Sequence, residues 1–349
     1  MNKKGRYVPS YLSLDPSAVK VEQRIMTVGY LIKLLEENRV DLYPDIQRSG
    51  NLWDRGKQSR LIESILLGLP LPSFYFDFST YNGSYVPVDG LQRLYALRNF
   101  AVTGKLTLHG LDFLTDYENK RWEDFSFYDR RRFLNAEVAC NIIGGNASTD
   151  VKFVIFSRLN VEGVPLNSQE IRNALFPDVS ERVLRHMAEL GEFKRLGISS
   201  RRMTDMELVL RFLAFYINDF RDYSGRMDFF LNETMERLRR FDDIEVDRLI
   251  ALFSESLRIA DFLFGIDAFR PYSSTERRKP LSKTLFETLT VTIARNIDVN
   301  FMSRADKLRN RYRQLLMNPY FQETLSTDTA GRNKVVTRFE MMQRLFNSL

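Results

Sequence analysis

The sequence predicts an α+β protein with a mixed N-terminal part and a mostly helical C-terminal part. Asn82-Gly83 is a strong hairpin signal, so residues 74–78 and 85–88 are expected to pair as antiparallel strands. Residues 137–143 alternate between apolar and polar side chains, as a further strand would. After Pro177 helical periodicity dominates, which indicates a change of architecture near that residue.

We therefore expect a leader over residues 1–22, an α+β domain over 23–177 and a helical, basic domain over 178–349. In the first domain, helices are predicted at 27–38 (capped by Thr27), 57–67, 150–159 and 168–175, with a further helix from the 89–90 corner to about residue 102. In the second, they are predicted near 180–190, 204–219, 226–241, 244–264, 281–296 and 303–316.

Composition excludes several classes of protein. The 349 residues are 44% hydrophobic, enough for a substantial core, yet there is no run of 18 apolar residues, so no membrane span is expected. No apolar segment follows the first residues as in a secretion signal. The single cysteine, Cys140, rules out an internal disulfide and lies in an apolar run, where an inert thiol is expected. A cytoplasmic location is predicted.

The positive charge is concentrated near the C-terminus. Residues 270–349 carry 15 Lys/Arg and 7 Asp/Glu, a net charge of +8, whereas the rest of the chain carries 36 and 38, a net charge of −2. A basic region attracts nucleic acid or another polyanion, although a solvated helical surface would have the same composition.

The corner at Val88-Asp89-Gly90-Leu91-Gln92-Arg93 follows an apolar strand and begins an amphipathic helix. Backbone N–H groups, a carboxylate and a guanidinium at a helix N-terminus suit a phosphate. A structural interpretation stands beside this one. Asp89 and Gln92 have the spacing of a capping box, and Gly90 would then only relieve the corner.

Val88–Arg93 resembles the Asp-Gly-Gln-Gln-Arg signature of the GmrSD-type restriction endonuclease N-terminal domain, a family related to ParB and sulfiredoxin. Leu91 departs from that signature, where the family usually has Gln. Residues 44–72, beginning Pro-Asp-Ile-Gln-Arg, resemble the family's opening motif, and residues 156–174 resemble its closing motif. The resemblance implies a ParB/sulfiredoxin-like fold for the N-terminal domain and a role in bacterial anti-phage restriction.

The resemblance also implies a site. Asp89 and Arg93 are the candidate catalytic residues, with Asp89 holding Mg²⁺ and Arg93 clamping an oxyanion of a nucleoside triphosphate. The candidate nucleotide-binding residues are Gln47, Arg48, Gly90, Leu91, Gln92, Asn160, Gln169, Glu170 and Arg172. Gln169 and Glu170 also suit the first turn of any helix, so their direct role stays open.

The sequence lacks the motifs of several other classes of enzyme. There is no P-loop, no dinucleotide-binding glycine pattern and no HNH nuclease motif, and the corner has no cysteine for sulfiredoxin chemistry. Asp178 and Glu192-Phe193-Lys194 imitate the metal-dependent nuclease pattern, but their segment is predicted to be helical. We therefore expect no nuclease activity from the chain alone.

Three functions follow. The first is a nucleotide-binding and NTP-hydrolysing restriction component that associates with DNA. The second is a non-catalytic DNA-binding or scaffolding subunit for a separate nuclease, and the third is a ParB-like nuclease. The sequence leaves open which nucleotide and which DNA are recognised and whether the chain forms a homo-oligomer.

The expected DNA surface is a helix over residues 303–317. Its apolar side consists of Ala305, Leu308, Tyr312, Leu315 and Leu316, and Arg304, Lys307 and Arg311 share another face at spacings of three and four. Such a helix could bury one side and offer the other to phosphates, or it could be a solvated structural helix.

Overall fold

The computed structural model describes residues 21–42, 53–78, 83–144, 147–159, 166–273 and 279–347. The chain forms two compact units, Met1–Asn167 and Ser168–Leu349. The first is α+β and the second is almost entirely helical, which confirms the predicted fold class at this level. The contacts divide the chain ten residues before the boundary predicted at residue 177.

The first unit is built on a four-stranded sheet in the order β1-β4-β2-β3. Strands β2 and β3 are antiparallel with a bulge at Tyr75/Phe76, β2 runs parallel to β4, and β4 is antiparallel to β1. The hairpin and the strand at residues 137–143 are therefore confirmed, whereas β1 was not predicted. The strands are β1 (Val21–Thr27), β2 (Phe74–Phe78), β3 (Tyr85–Asp89) and β4 (Glu137–Ile143).

Helices pack against this sheet around a core that includes Phe74, Phe76, Ile62, Leu94 and Phe100. Thr27 caps α1 as predicted, since its hydroxyl accepts from the backbone N of Tyr30 at 3.2 Å. The helices are α1 (Val28–Glu36), α2 (Arg55–Leu67), α3 (Leu91–Leu97, continued by a π-helical turn over Arg98–Val102), α4 (Phe127–Asn135) and α5 (Thr149–Leu159), with 3-10 turns at Thr115–Tyr117 and Trp122–Asp124.

Glu63 on α2 organises the loop that follows the motif helix. Its buried carboxylate accepts from the backbone N–H groups of Asp112, Phe113 and Leu114 at 3.1, 2.7 and 2.7 Å. Burial opposes ionisation of this group, but the three donors outweigh it and lower the pKa of Glu63. The carboxylate therefore stays charged and holds this loop against α2.

The second unit surrounds α10, a helix whose side chains are almost all buried. The six predicted helical regions are present, whereas the last two helices were not predicted. The main helices are α6 (Ser168–Leu175), α7 (Thr204–Ile217), α8 (Met227–Leu238), α9 (Asp243–Phe264), α10 (Lys283–Ala294), α11 (Ala305–Met317), α12 (Pro319–Ser326) and α13 (Arg332–Asn347). Shorter helical turns are Pro177–Val179, Ser180–Arg185, His186–Ala188, Gly191–Lys194, Arg201–Met203, Phe220–Asp222, Gly265–Asp267 and Met302–Arg304.

An ionic network lies inside this helical core. Glu287 of α10 is fully buried, and its two carboxylate oxygens pair with Arg211 of α7 at 2.6 Å and with Arg338 of α13 at 2.7 Å. Arg338 is equally buried and also donates to Thr288 Oγ1 at 3.1 Å and to the Thr324 carbonyl at 3.0 Å. Ion pairs at this depth connect three helices through directional bonds.

Over the described ranges, no helix is both long and apolar enough to cross a membrane.

Candidate functional site

The strand-to-helix corner lies at the end of the β2–β3 hairpin. Asp89 is the last residue of β3 and Leu91 is the first of α3, with Gly90 between them at φ +94°. A Cβ on Gly90 would lie 2.5 Å from Cδ1 of Phe74, much closer than carbon atoms approach. Gly90 is thus required by both backbone conformation and the neighbouring ring.

The capping-box interpretation of this corner is wrong. Gly90, and not Asp89, occupies the N-cap position, and no side chain caps the helix. The side-chain carbonyl of Gln92 accepts instead from the backbone N of Trp53 at 2.9 Å.

Asp89 pairs with Arg93 one helical turn away, at 2.8 Å between Oδ2 and Nη2. The Arg93 side chain is 8% exposed and that of Asp89 21%. Arg93 also donates to the carbonyls of Pro72 and Ser73, and its guanidinium carbon lies 4.4 Å from the centre of the Phe74 ring. Arg93 therefore ties the segment before β2 to the corner, while the carboxylate of Asp89 reaches the surface.

A chain of hydrogen bonds joins the opening motif to the corner helix. Gln58 donates to the carbonyl of Trp53 at 2.7 Å, and its own side-chain carbonyl accepts from Asn99 at 3.0 Å. Together with the bond between Trp53 and Gln92, these contacts connect α2 to both ends of the helical segment that starts at Leu91. Trp53 and Gln58 belong to the opening motif, so the two motifs meet in the structure.

Asp77 and Lys152 form a second polar pair in this unit that the sequence did not indicate. Lys152 of α5 lies 2.7 Å from Oδ1 of Asp77 on β2, and both side chains are largely buried. Burial raises the pKa of Asp77, and the ammonium of Lys152 opposes that rise only in part. The only sequence signal was an acid inside the apolar strand Phe-Tyr-Phe-Asp-Phe.

Cys140 is buried in β4 as predicted, and burial raises the pKa of its thiol to about 12. A thiol that stays protonated is a poor nucleophile, so Cys140 is inert.

The other predicted nucleotide-binding residues fall into two groups. Gln47, Arg48 and Asn160 lie outside the described residues. Gln169, Glu170 and Arg172 belong to α6, in the helical unit, and all three are buried there.

The closing-motif residues have structural partners within the helical unit. Glu170 pairs with Arg202 at 2.8 Å, next to the left-handed pair Arg202 and Met203 at the start of α7. Arg172 pairs with Asp228 of α8 and donates to Asn232 at 3.0 Å. Burial lowers the pKa of Arg172 despite this acidic partner. These contacts attach α6 to α7 and α8, and a nucleotide-binding role for them stays a prediction.

The predicted DNA-facing helix has the expected amphipathic form. Ala305, Leu308, Tyr312 and Leu316 of α11 are buried. Arg304 and Lys307 are exposed, and Arg311 is half-buried.

The nuclease-like decoy is helical, as predicted. Asp178 lies in a helical turn and pairs with Arg239, while Glu192 pairs with Arg258. Over the described ranges, no three His, Cys, Asp or Glu side chains cluster in a way that could hold a metal ion.

Residues 31–177 match the family model of the GmrSD restriction endonuclease, N-terminal domain. This part of the chain is a GmrSD-type domain. The match spans the opening motif, the Asp89–Arg93 corner and the closing motif, in agreement with the resemblance seen in the sequence. No curated protein and no solved structure matches the chain.

The GmrSD-type domain indicates a component of a restriction system. The α+β fold of the first unit agrees with the predicted class, while its likeness to ParB and sulfiredoxin stays a prediction. The family match ends at residue 177 and so includes α6, which packs in the helical unit.

Proposed function

We propose that the chain binds and hydrolyses a nucleoside triphosphate and associates with DNA as a component of a bacterial anti-phage restriction system. The observation that carries the proposal is the corner of the GmrSD-type domain. There a partly exposed carboxylate, Asp89, is held by Arg93 beside the first turn of a helix. The family match supplies the restriction context.

The corner has the groups that a triphosphate requires. The helix dipole favours an anion at the N-terminal end of α3, where Leu91 and Gln92 lie. Arg93 acts as a positioning residue, since its bonds to Pro72 and Ser73 hold the orientation of Asp89. Arg93 thus holds the carboxylate of Asp89 in place at the corner.

The same carboxylate fits Mg²⁺. This ion commonly binds one or two protein carboxylates together with substrate phosphates and water, so Asp89 would be the one ligand that the protein supplies. When bound, Mg²⁺ would neutralise charge on the transferred phosphoryl group. Asp89 would orient the metal and its water, and Leu91 and Gln92 would hold the phosphate.

Asp89→Asn is the first test, because asparagine keeps the size of the side chain and removes its charge. We expect phosphate release from nucleoside triphosphates with Mg²⁺ to fall by about tenfold or more, equivalent to ~1.5–3 kcal/mol for a lost charged interaction. Asp116→Asn is the matched control, since Asp116 is an exposed acid of the same unit. Equal turnover in Asp89→Asn and the wild type would place the chemistry elsewhere.

The same preparation separates the two other functions. Binding of DNA without phosphate release from any nucleoside triphosphate identifies a non-catalytic subunit. Metal-dependent cutting of plasmid or phage DNA by the purified chain, lost in Asp89→Asn, identifies a ParB-like nuclease. We expect no cutting.

The DNA-binding part of the proposal rests on α11. Reversal of Arg304, Lys307 and Arg311 to Glu should weaken duplex binding and reduce the slope of log affinity against log salt by about 0.9 for each lost phosphate contact. Fluorescence anisotropy at several salt concentrations measures both quantities. Phosphate release without DNA should be unchanged, because these residues lie in the other unit.

A charge-matched variant controls for the change in total charge. Lys105, Arg240 and Arg248 are exposed cations outside α11, and their triple reversal to Glu changes the charge by the same amount. If both triple variants lose the same affinity, the effect is one of net charge and α11 is a structural helix.

A further inference from the structure

The helical unit contains a cavity that the proposed function does not use. It has a volume of about 740 Å³ and lies between the C-terminal end of α9, the segment at residues 265–273 and α11. Cavities of roughly 300–1,000 Å³ are typical of small-molecule sites. The cavity is therefore large enough for a ligand of nucleotide size.

Aromatic rings form part of its wall. Phe262, at the end of α9, is 48% exposed. Phe264 packs on Tyr312 with ring centres 4.2 Å apart, and the Tyr312 hydroxyl donates to the carbonyl of Ala268 at 2.5 Å. Tyr312 thus fixes this part of the wall. The guanidinium carbon of Arg309 lies 5.7 Å from the centre of the Phe262 ring, and the 48% exposure of Phe262 leaves part of that ring open to a planar group.

Four cationic and two acidic side chains line the same cavity, and the cations differ in how they are used. Arg309 donates to the carbonyls of Leu263 and Phe262 and pairs with Asp306 at 3.0 Å. Arg270 donates to the carbonyl of Lys279 at 2.6 Å. Both therefore stabilise the walls.

Arg313 and Lys279 are different. Both are exposed, and among the described residues neither side chain has a hydrogen bond or an ion pair. Two available cations beside an exposed aromatic ring match a ligand that has a planar ring and a phosphate. A purely apolar ligand would leave both cations unused, and an inorganic anion would leave the ring unused.

We propose that this cavity binds a nucleotide, with the base against Phe262 and the phosphate between Arg313 and Lys279. The source is either a free nucleotide or an unpaired nucleotide of a DNA strand. Only the second source rests on the proposed association with DNA. The two proposals meet at α11, which carries Arg313 together with Lys307 and Arg311 and begins directly after Arg304.

The test uses Phe262→Ala and Arg313→Glu in the full chain. The probes are a deoxynucleoside monophosphate and a short 5′-phosphorylated single strand, each with a photoreactive thymine analogue. We expect each variant to weaken binding by about tenfold, since one stacked base or one charge-assisted contact has this effect. Cross-linked peptides in the wild type should fall within residues 261–273 or 309–316.

Two matched variants are the controls. Tyr320→Ala removes an aromatic ring that is exposed in the same unit, and Arg248→Glu reverses an exposed charge on α9 outside the cavity. Both should bind the probes within about twofold of wild type. Asp89→Asn should likewise leave the cross-links at residues 261–273 or 309–316 unchanged, which separates this site from the corner.

The two probes identify the source. Loss of monophosphate binding in Phe262→Ala and Arg313→Glu indicates a free nucleotide, whereas loss of single-strand binding alone indicates a DNA strand. The proposal is overturned if the wild type binds neither probe, if both variants bind like wild type, or if cross-links appear only outside the cavity.

Discussion

Glu287→Ala should destabilise the helical unit by ~3–5 kcal/mol, the usual consequence of removing one partner from a buried ion pair. The substitution leaves the fully buried Arg338 and the largely buried Arg211 without their shared carboxylate. Arg211 keeps its ion pair with Glu207 at 3.0 Å, so the loss of Glu287 affects the charge of Arg338 more than that of Arg211. Urea denaturation measures the change, and hydrogen exchange over residues 283–294 assigns it to α10.

Glu255→Ala on α9 is the matched control, since Glu255 is half-exposed and lies 3.7 Å from Arg258. Surface pairs of this kind contribute about 0–1 kcal/mol. Similar stability losses in the two variants would mean that Glu287 has no special role in the core. A loss of exchange protection in the N-terminal unit alone would contradict the assignment to α10.

Arg93→Ala should destabilise the N-terminal unit by about 3 kcal/mol, because it removes a buried guanidinium from Asp89 and from two backbone carbonyls. Arg93→Lys should recover only part of this loss. An ammonium on a flexible stem cannot reproduce the planar arrangement of donors that contacts the carboxylate and both carbonyls. Urea denaturation together with hydrogen exchange at residues 72–78 and 89–97 measures the effect.

Arg98→Ala provides the comparison, since Arg98 is a half-buried arginine of the same helical segment. If Arg93→Ala is no less stable than Arg98→Ala, Arg93 is not a positioning residue. If Arg93→Ala is stable but loses phosphate release, Arg93 acts directly on the nucleotide, as the sequence suggested.

The closing motif spans the boundary between the two compact units, so a sequence motif need not lie within one unit. Residues 156–174 match the family as one stretch, and the family model continues to residue 177. The structure nevertheless assigns Phe156 to the first unit and Gln169, Glu170 and Arg172 to the second. Glu170 and Arg172 bind Arg202 and Asp228, which follow them in the chain by 32 and 56 residues. Spacing within a motif carries no information about partners so distant.

The sequence by itself determined the features that depend on neighbouring residues. Alternation and the turn signal predicted the β2–β3 hairpin and β4, and the helical period predicted the apolar side of α11. Thr27 predicted where α1 begins, because an N-cap acts within one helical turn. The three motifs together indicated the GmrSD-type domain.

Only the tertiary structure decided what distant segments do to each other. It showed that Gly90 must be glycine because Phe74 approaches it, and that Arg93 holds the segment at Pro72. It also paired Asp77 with Lys152, which are 75 residues apart. Burial and hydrogen bonding between remote elements depend on how the chain packs, and no local pattern of residue types encodes that packing.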